Sequence, residues 1–383
     1  MITIPRLRPG RAVLWLLVLG AAAITVYRFA GGLGVATNLS DRFPWGLWNG
    51  FKLGAIGLAA GGFTMAAVGY VFHLRRYKPL VRLAVVAGFL GYLTFVVTLL
   101  IDLGRPYRIW HPIIMWNAHS VMFEIAWCVI LYLTVLTLEF GQIVLERLGR
   151  RRLLAITRMA LPPLVIAGVI LSTLHQSSLG SLFLIVPGKL HALWFSPLLP
   201  VFFLFSAMAV GPAVVILQAA YMDRAYGRRI DPRILNDLGK AVMVVLALNL
   251  VLRVTDLVAR GAWPLAFNGS FEAVLFDVEI VLGLIAPLVL LSLPTSSPRV
   301  LLTASLLAAL GVILNRMNTA ITGLLVGSRT WYVPSWMEIV VALGLLAMAI
   351  LAYLWIIEHL PVTEEETAAQ LRPALAPSPA PAP

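Results

Sequence analysis

A single cysteine, Cys128, serves this 383-residue sequence. One thiol cannot hold an iron–sulfur cluster, complete a structural zinc site or close an intrachain disulfide; any such group belongs to another chain. Charge is also scarce, at 12% of residues against about 25% in an ordinary soluble domain. In its place stand apolar residues, 60% of the chain, with a mean hydropathy of +0.92. That balance excludes a soluble globular protein and describes an integral membrane one.

Runs of about 20 apolar residues, the length needed to cross a bilayer, occur at 12–30, 51–72, 81–101, 119–140, 155–174, 195–219, 240–260, 272–292, 299–316 and 335–357. They predict an all-α polytopic bundle of about ten transmembrane helices, with residues 1–360 as one membrane domain and 361–383 as a disordered tail, acidic and then rich in Pro and Ala. The first run follows "RLRPGR" and contains "AAA", as a secretory signal does. Its apolar stretch of about 19 residues exceeds the usual 7–15 of a signal core, so it reads as a retained helix.

The net charge of +12 invites a nucleic-acid reading, but its distribution speaks for topology. Of the 29 Lys and Arg, 19 fall on one side of the ten runs. The positive-inside rule then puts both termini in the cytoplasm, with the inner membrane of a bacterium as the expected location and no nucleic-acid partner.

Polar residues collect toward the opposite, outer side. "DRFPWGLWNGFK" enters the second helix there, "DLGRPYRIWHP" leaves the third, "WNAHSVMFE" enters the fourth, "LSTLHQSSLGSLFLIV" leaves the fifth and "PGKLHALWFSPLLP" leads into the sixth. His111, His119, His175 and His191, four of six histidines, lie in these segments. At helical spacing Ser172, His175 and Gln176 share a face, as do Asn117, Ser120 and Glu124, then Asn249, Arg253 and Asp256, and Asn315, Asn318, Thr319 and Thr322; Glu272 aligns with Glu279.

Structural readings exist for many of these. Ser, Thr, Asn and Gln bridge transmembrane helices, and Arg253 and Asp256 are spaced for an intrahelical ion pair. Gly50/Gly54 and Gly57/Gly61 suit close helix packing, and Trp45, Trp48, Trp110, Trp116 and Trp194 suit an interfacial belt. The ionisable set of Asp102, His119, Glu124, His175, Glu272, Asp277 and Glu279 is harder to assign to packing, since titratable groups within spans mark ion, proton or ligand pathways.

Five ordered motifs, "PWGLW", "DLGRPYRIWHP", "NAHSVMFEIAWC", "TLHQSSLGSLF" and "KLHALWFSPLLP", resemble the membrane subunit of the polysulfide reductase/NrfD family, in particular its ten-helix HybB-type hydrogenase branch. The likeness runs from about Asp41 to about Leu293. It implies an electron-transfer anchor beneath an extracytoplasmic iron–sulfur subunit, itself fed by a catalytic subunit such as a nickel–iron hydrogenase or another periplasmic oxidoreductase. Electrons would pass to or from a membrane quinone, menaquinone or ubiquinone, with proton translocation as a further expectation. No haem, iron–sulfur cluster or metal is expected in this chain.

A quinone head group has two carbonyl oxygens that need donors, and imidazole can donate and exchange a proton near neutrality. The expected outer-leaflet pocket therefore uses His175 with Gln176, faced by Asp102 and His119, with Trp45, Trp48 and Asn49 at its entrance. Asp102 also has a structural reading, as a partner for Arg105 at the end of its helix. Glu124, Glu272 and Glu279, with Asp256 and Arg253, are expected to carry protons. There is one departure: shorter members of the family draw on an Asn and a His near the start of their first helix, whereas here Asn49 is followed by Lys52 and Leu53, with no His before His73. Three rival readings are a single-haem b-type carrier ligated by His119 and His175, a secondary transporter and a passive anchor without a quinone site.

Overall fold

A computed structural model describes residues 9–59, 61–71, 74–185, 188–228, 230–293, 297–328 and 330–362. Of the tail expected to be disordered, 361–383, the first two residues are ordered, since Arg82 donates to Pro361 O at 3.0 Å and Val362 is buried; residues 363–383, like His73, lie outside the described residues. Ten helices are long and apolar enough to cross a membrane: α1 (Pro9–Gly31), α2 (Leu47–Gly69), α3 (Leu80–Asp102), α4 (Val121–Arg147), α5 (Arg151–Ser181), α6 (Leu199–Tyr226), α7 (Pro232–Ala259), α8 (Phe271–Ser292), α9 (Pro298–Ser328) and α10 (Trp336–His359). No strand occurs among the described residues.

Helix starts follow local chemistry. Ser120 accepts a hydrogen bond from Phe123 N at the start of α4, Ser270 from Ala273 N at α8, and Asp231 from Arg233 N at α7. Ser335 and Glu338 form a reciprocal capping box at α10. Gly227 ends α6 at φ +66°, a left-handed conformation that favours glycine.

The main departure from the sequence expectation is α5, which runs to Ser181 rather than stopping near residue 174. Its polar residues do not break it because they bond back onto its own carbonyls: Thr173 to Val169 O, Ser178 to Leu174 O and Ser181 to Ser177 O. His175 and Gln176 are therefore held inside a rigid helix.

At the centre lie α2 and α6, with 65% and 67% of their most apolar windows buried, whereas α1 and α5 are peripheral at 17%. The glycine stripe of α2 makes this centre dense. A Cβ on Gly57 would press on Val312 of α9 at 2.9 Å, and one on Gly61 on the backbone of Gly211 in α6 at 3.1 Å. The spacing thus serves packing, as its pattern suggested. Helices α2 to α5 form one half of the bundle and α6 to α9 the other, while α1 pairs with α10 beside α3. Long connections, including 103–120 and 182–198, cap one end, which carries Trp45, Trp110, Trp194 and Trp331; Arg147 and Arg150 to Arg152 crowd the other. Below these are called the tryptophan end and the arginine end.

Candidate functional site

A cavity of about 570 Å³ opens at the tryptophan end between α2, α3, α4, the last turn of α5 and the 103–120 connection. Its wall is largely apolar, built from residues such as Leu53, Phe95, Leu99, Phe123 and Val129. The connection roofs it with Arg105, Arg108 and His111, and is tied down by Trp127 Nε1 donating to Pro112 O at 2.9 Å and by Arg28 donating to Leu103 O. Cavities of about 300–1,000 Å³ with apolar walls and few polar groups are the usual form of a small-molecule site.

Two polar groups one turn apart on α2 face this space. Asn49 is buried, and its Nδ2 has no hydrogen-bond partner. A buried amide donor without an acceptor is costly, and this one borders the cavity. Lys52, 6% exposed, donates to Asp102 Oδ2 at 2.5 Å. An ammonium has three N–H donors, so two remain after this pair. Asp102 is thereby committed to Lys52 and not to Arg105, which is exposed beyond the end of α3 and lines the cavity instead. The expected Asp102–Arg105 pair is corrected accordingly.

The other expected pocket residues are spread around this cavity rather than in its wall. His175 is fully buried behind Phe95, its ring 6.0 Å from that phenyl and 5.6 Å from Tyr92, and neither ring nitrogen has a hydrogen-bond partner. Gln176 donates to Ile56 O at 3.2 Å, while its Oε1, Ser172 Oγ and Tyr92 OH lie near one another without a hydrogen bond of good geometry. A polar knot thus sits one ring away from the cavity. Glu124 accepts from Ser178 Oγ. His119 is exposed in the connection just before α4. Trp45 meets Phe183 edge-on at 5.8 Å, and Trp48 is buried with Nε1 donating to Glu338 O, so these two brace the mouth of α2 from outside the cavity.

In the other half of the bundle, Glu279 accepts from Arg253 at 2.8 Å, Asn315 at 2.7 Å, Asn318 at 3.0 Å and Trp194 at 2.9 Å. Arg316, fully buried, donates to Asn315, Ser206 and Phe203 O and lies 3.5 Å over the Phe203 ring. Two cavities of about 20 Å³ flank Arg253, each with room for roughly one water. The expected Arg253–Asp256 pair does not form. Asp256 instead binds Ser196 and Arg260, one turn on, because Arg253 turns to the carboxylate that α8 offers across the interface. Glu272 is half-buried near His191.

Sequence reasoning passed over Lys52, Arg105, Arg108 and His111 as site residues. The signal for Lys52 was its spacing of three from Asn49, a single helical face; the other three become wall residues only because the connection folds back over the cavity.

A family description, "Polysulphide reductase, NrfD", matches residues 35–328. The chain is 35% identical over 347 residues, 88% of each chain, to a probable Ni/Fe-hydrogenase 2 b-type cytochrome subunit of Escherichia coli. It is 27% identical to the integral membrane subunit of a menaquinone reductase of Nitratidesulfovibrio vulgaris, over 91% of this chain and 90% of that one. With a selenate reductase subunit of Mesobacillus selenatarsenatis it shares 24% identity over 72% of each.

The name of the hydrogenase relative implies a haem, which imidazole ligation would hold between two facing histidines. Among the described residues His175 is walled by Tyr92 and Phe95, His111, His119 and His191 lie in connections, His359 ends α10, and one histidine, His111, lines the large cavity. These residues do not fit a bis-histidine haem. The ten apolar helices and the match over most of the sequence place the chain in the NrfD polysulphide reductase family, as a multi-pass integral membrane protein.

Proposed function

We propose that this chain is the quinone-reactive membrane subunit of a respiratory oxidoreductase complex in the bacterial inner membrane, with the tryptophan end outside and both termini in the cytoplasm. The observation that carries the reading is the large apolar cavity with the unpartnered Asn49 amide and the Lys52–Asp102 pair on one side. An isoprenoid-tailed quinone needs an apolar slot for its ring and tail and donors for its two oxygens. Asn49 offers one donor, and Lys52 a second that also carries a proton.

Reduction of a quinone to a quinol consumes two electrons and two protons. Electrons arrive from an iron–sulfur subunit docked over the 103–120 connection, supplied by a catalytic subunit such as a nickel–iron hydrogenase; the relatives named for a hydrogenase and for a menaquinone reductase support this assignment. Lys52 hands a proton to one quinone oxygen, and Asp102 fixes the ammonium in place and stabilises its charged form before transfer. His175, one ring behind the wall, with Gln176 and Glu124, holds protons for the second oxygen. Glu279, Arg253, Asp256 and Glu272 form a separate set in the other half, with the same proton-handling assignment. Neither His119 nor the indoles of Trp45 and Trp48 are needed at the head group.

The test is turnover of the purified complex with quinone, set against turnover with a soluble dye that accepts electrons upstream. Lys52→Met, Asp102→Asn and His175→Ala are expected to lower quinone-linked rates at least tenfold and leave dye-linked rates and assembly unchanged; Asn49→Leu is expected to raise KM for quinone. Normal quinone kinetics in all four variants would remove the site.

A further inference from the structure

The lipid-facing side of α8 carries a carboxylate that neither the bundle nor the proposed site explains. Helix α8 has 22 residues, so at 1.5 Å per residue it is about 33 Å long, the thickness of the hydrocarbon layer and little more. Asp277 is six residues from its first residue, Phe271, about 9 Å down the axis and below the level of the exposed aromatic rings of Phe271 and Trp331. It is exposed, and its carboxylate has no hydrogen-bond or ion-pair partner among the described residues. Two residues on, Glu279 points the opposite way and takes four donors from the interior.

Carboxylates in spans are costly, and those that persist face protein or water and have a partner. An Asp side chain is too short to reach the head-group region from this depth. The surface around it is suited to protein: Val274, Val278, Val281, Ile285 and Val289, all 38–54% exposed, continue its stripe along α8, at the 3–4-residue spacing of a helix-packing ridge.

We infer that this stripe seats a transmembrane helix of another subunit, one that carries a Lys or Arg at the depth of Asp277. Charge decides the occupant. A second copy packed about a two-fold axis would set Asp277 against Asp277, and lipid chains offer no donor at all. A helix with a basic residue satisfies both partners, since each charge is unstable alone in lipid.

The experiment uses the complex purified from native membranes by a tag on this chain, with the photo-crosslinking residue benzoylphenylalanine at Val281, and at the lipid-facing Val251 of α7, 62% exposed, as the control. The expected adduct, at Val281 and not at Val251, is a peptide from a membrane-spanning segment containing Lys or Arg. Asp277→Lys should lower recovery of that subunit at least tenfold, and Asp in place of the partner's basic residue should restore it. Asp277→Leu, which suits a lipid-facing helix and so leaves the chain inserted and folded, should also lower recovery. Adducts with lipid alone, with a second copy of this chain, or with a segment lacking a basic residue would overturn the inference. Unchanged recovery in Asp277→Leu would do so as well.

Discussion

His191 shows how one side chain can couple a connection to pH. It sits half-buried in the 182–198 connection, where its backbone N donates to Gly323 O and its Nδ1 accepts from Leu193 N at 3.2 Å. That last bond requires the unprotonated nitrogen. Burial holds its pKa below the ordinary 6.5, with nearby Glu272 pulling the other way. Because the folded pKa is the lower one, the unfolded chain binds the proton first, and this residue's contribution to stability is complete above 6.5 and is lost as pH falls below it. The melting temperature in detergent should therefore decline from pH 7 to pH 5, less steeply in His191→Gln and more steeply in Glu272→Gln. A wild-type slope matched by His191→Gln would show that other groups set it. At this scale the sequence named the polar residues but not their partners. Asp102 and Arg253 were each matched to the nearest opposite charge in the chain, whereas packing delivered Lys52 and Glu279 from other helices.

At the scale of elements, glycines decide how closely helices meet. Gly283 of α8 faces Gly311 of α9, and a Cβ on Gly283 would fall 2.7 Å from the Gly311 Cα. Gly283 lies within the π-helical turn Val281–Ile285, and α9 has one of its own at Asn318–Thr322, a form that often marks functional positions in helices. Those turns begin two residues after Glu279 and three after Asn315, and the glycine contact brings the two residues within hydrogen-bonding reach. Gly311→Val should thus force α8 and α9 apart, costing about 1–3 kcal/mol as overpacking does, and lower the melting temperature; an unchanged value would mean that the crossing yields at little cost. The Gly50-to-Gly61 stripe of α2 was legible in advance because its four-residue spacing is a one-dimensional pattern. The Gly283–Gly311 contact was not, because each glycine is isolated in its own helix and only the crossing pairs them.

For the whole molecule, the asymmetry of Lys and Arg predicts that reporter fusions after α2, α4, α6, α8 and α10 behave as cytoplasmic and those after α1, α3, α5, α7 and α9 as external. Alkaline phosphatase, active only outside, and green fluorescent protein, fluorescent only inside, would read this directly, and the reverse pattern would invert the proposed orientation of the cavity. The sequence by itself determined the membrane class, ten spans, the family likeness and the gathering of polar residues toward one end. Each of these depends on local composition and order along the chain, which bilayer thickness and the cost of bare backbone in lipid translate directly into helices. Only the tertiary structure decided that Lys52 and Asn49 face the cavity, that Phe95 stands between it and His175, and that Glu279 turns inward while Asp277 looks out. Those outcomes depend on how helices distant in sequence rotate and cross, and burial of a side chain is a property of its neighbours as much as of its own chemistry.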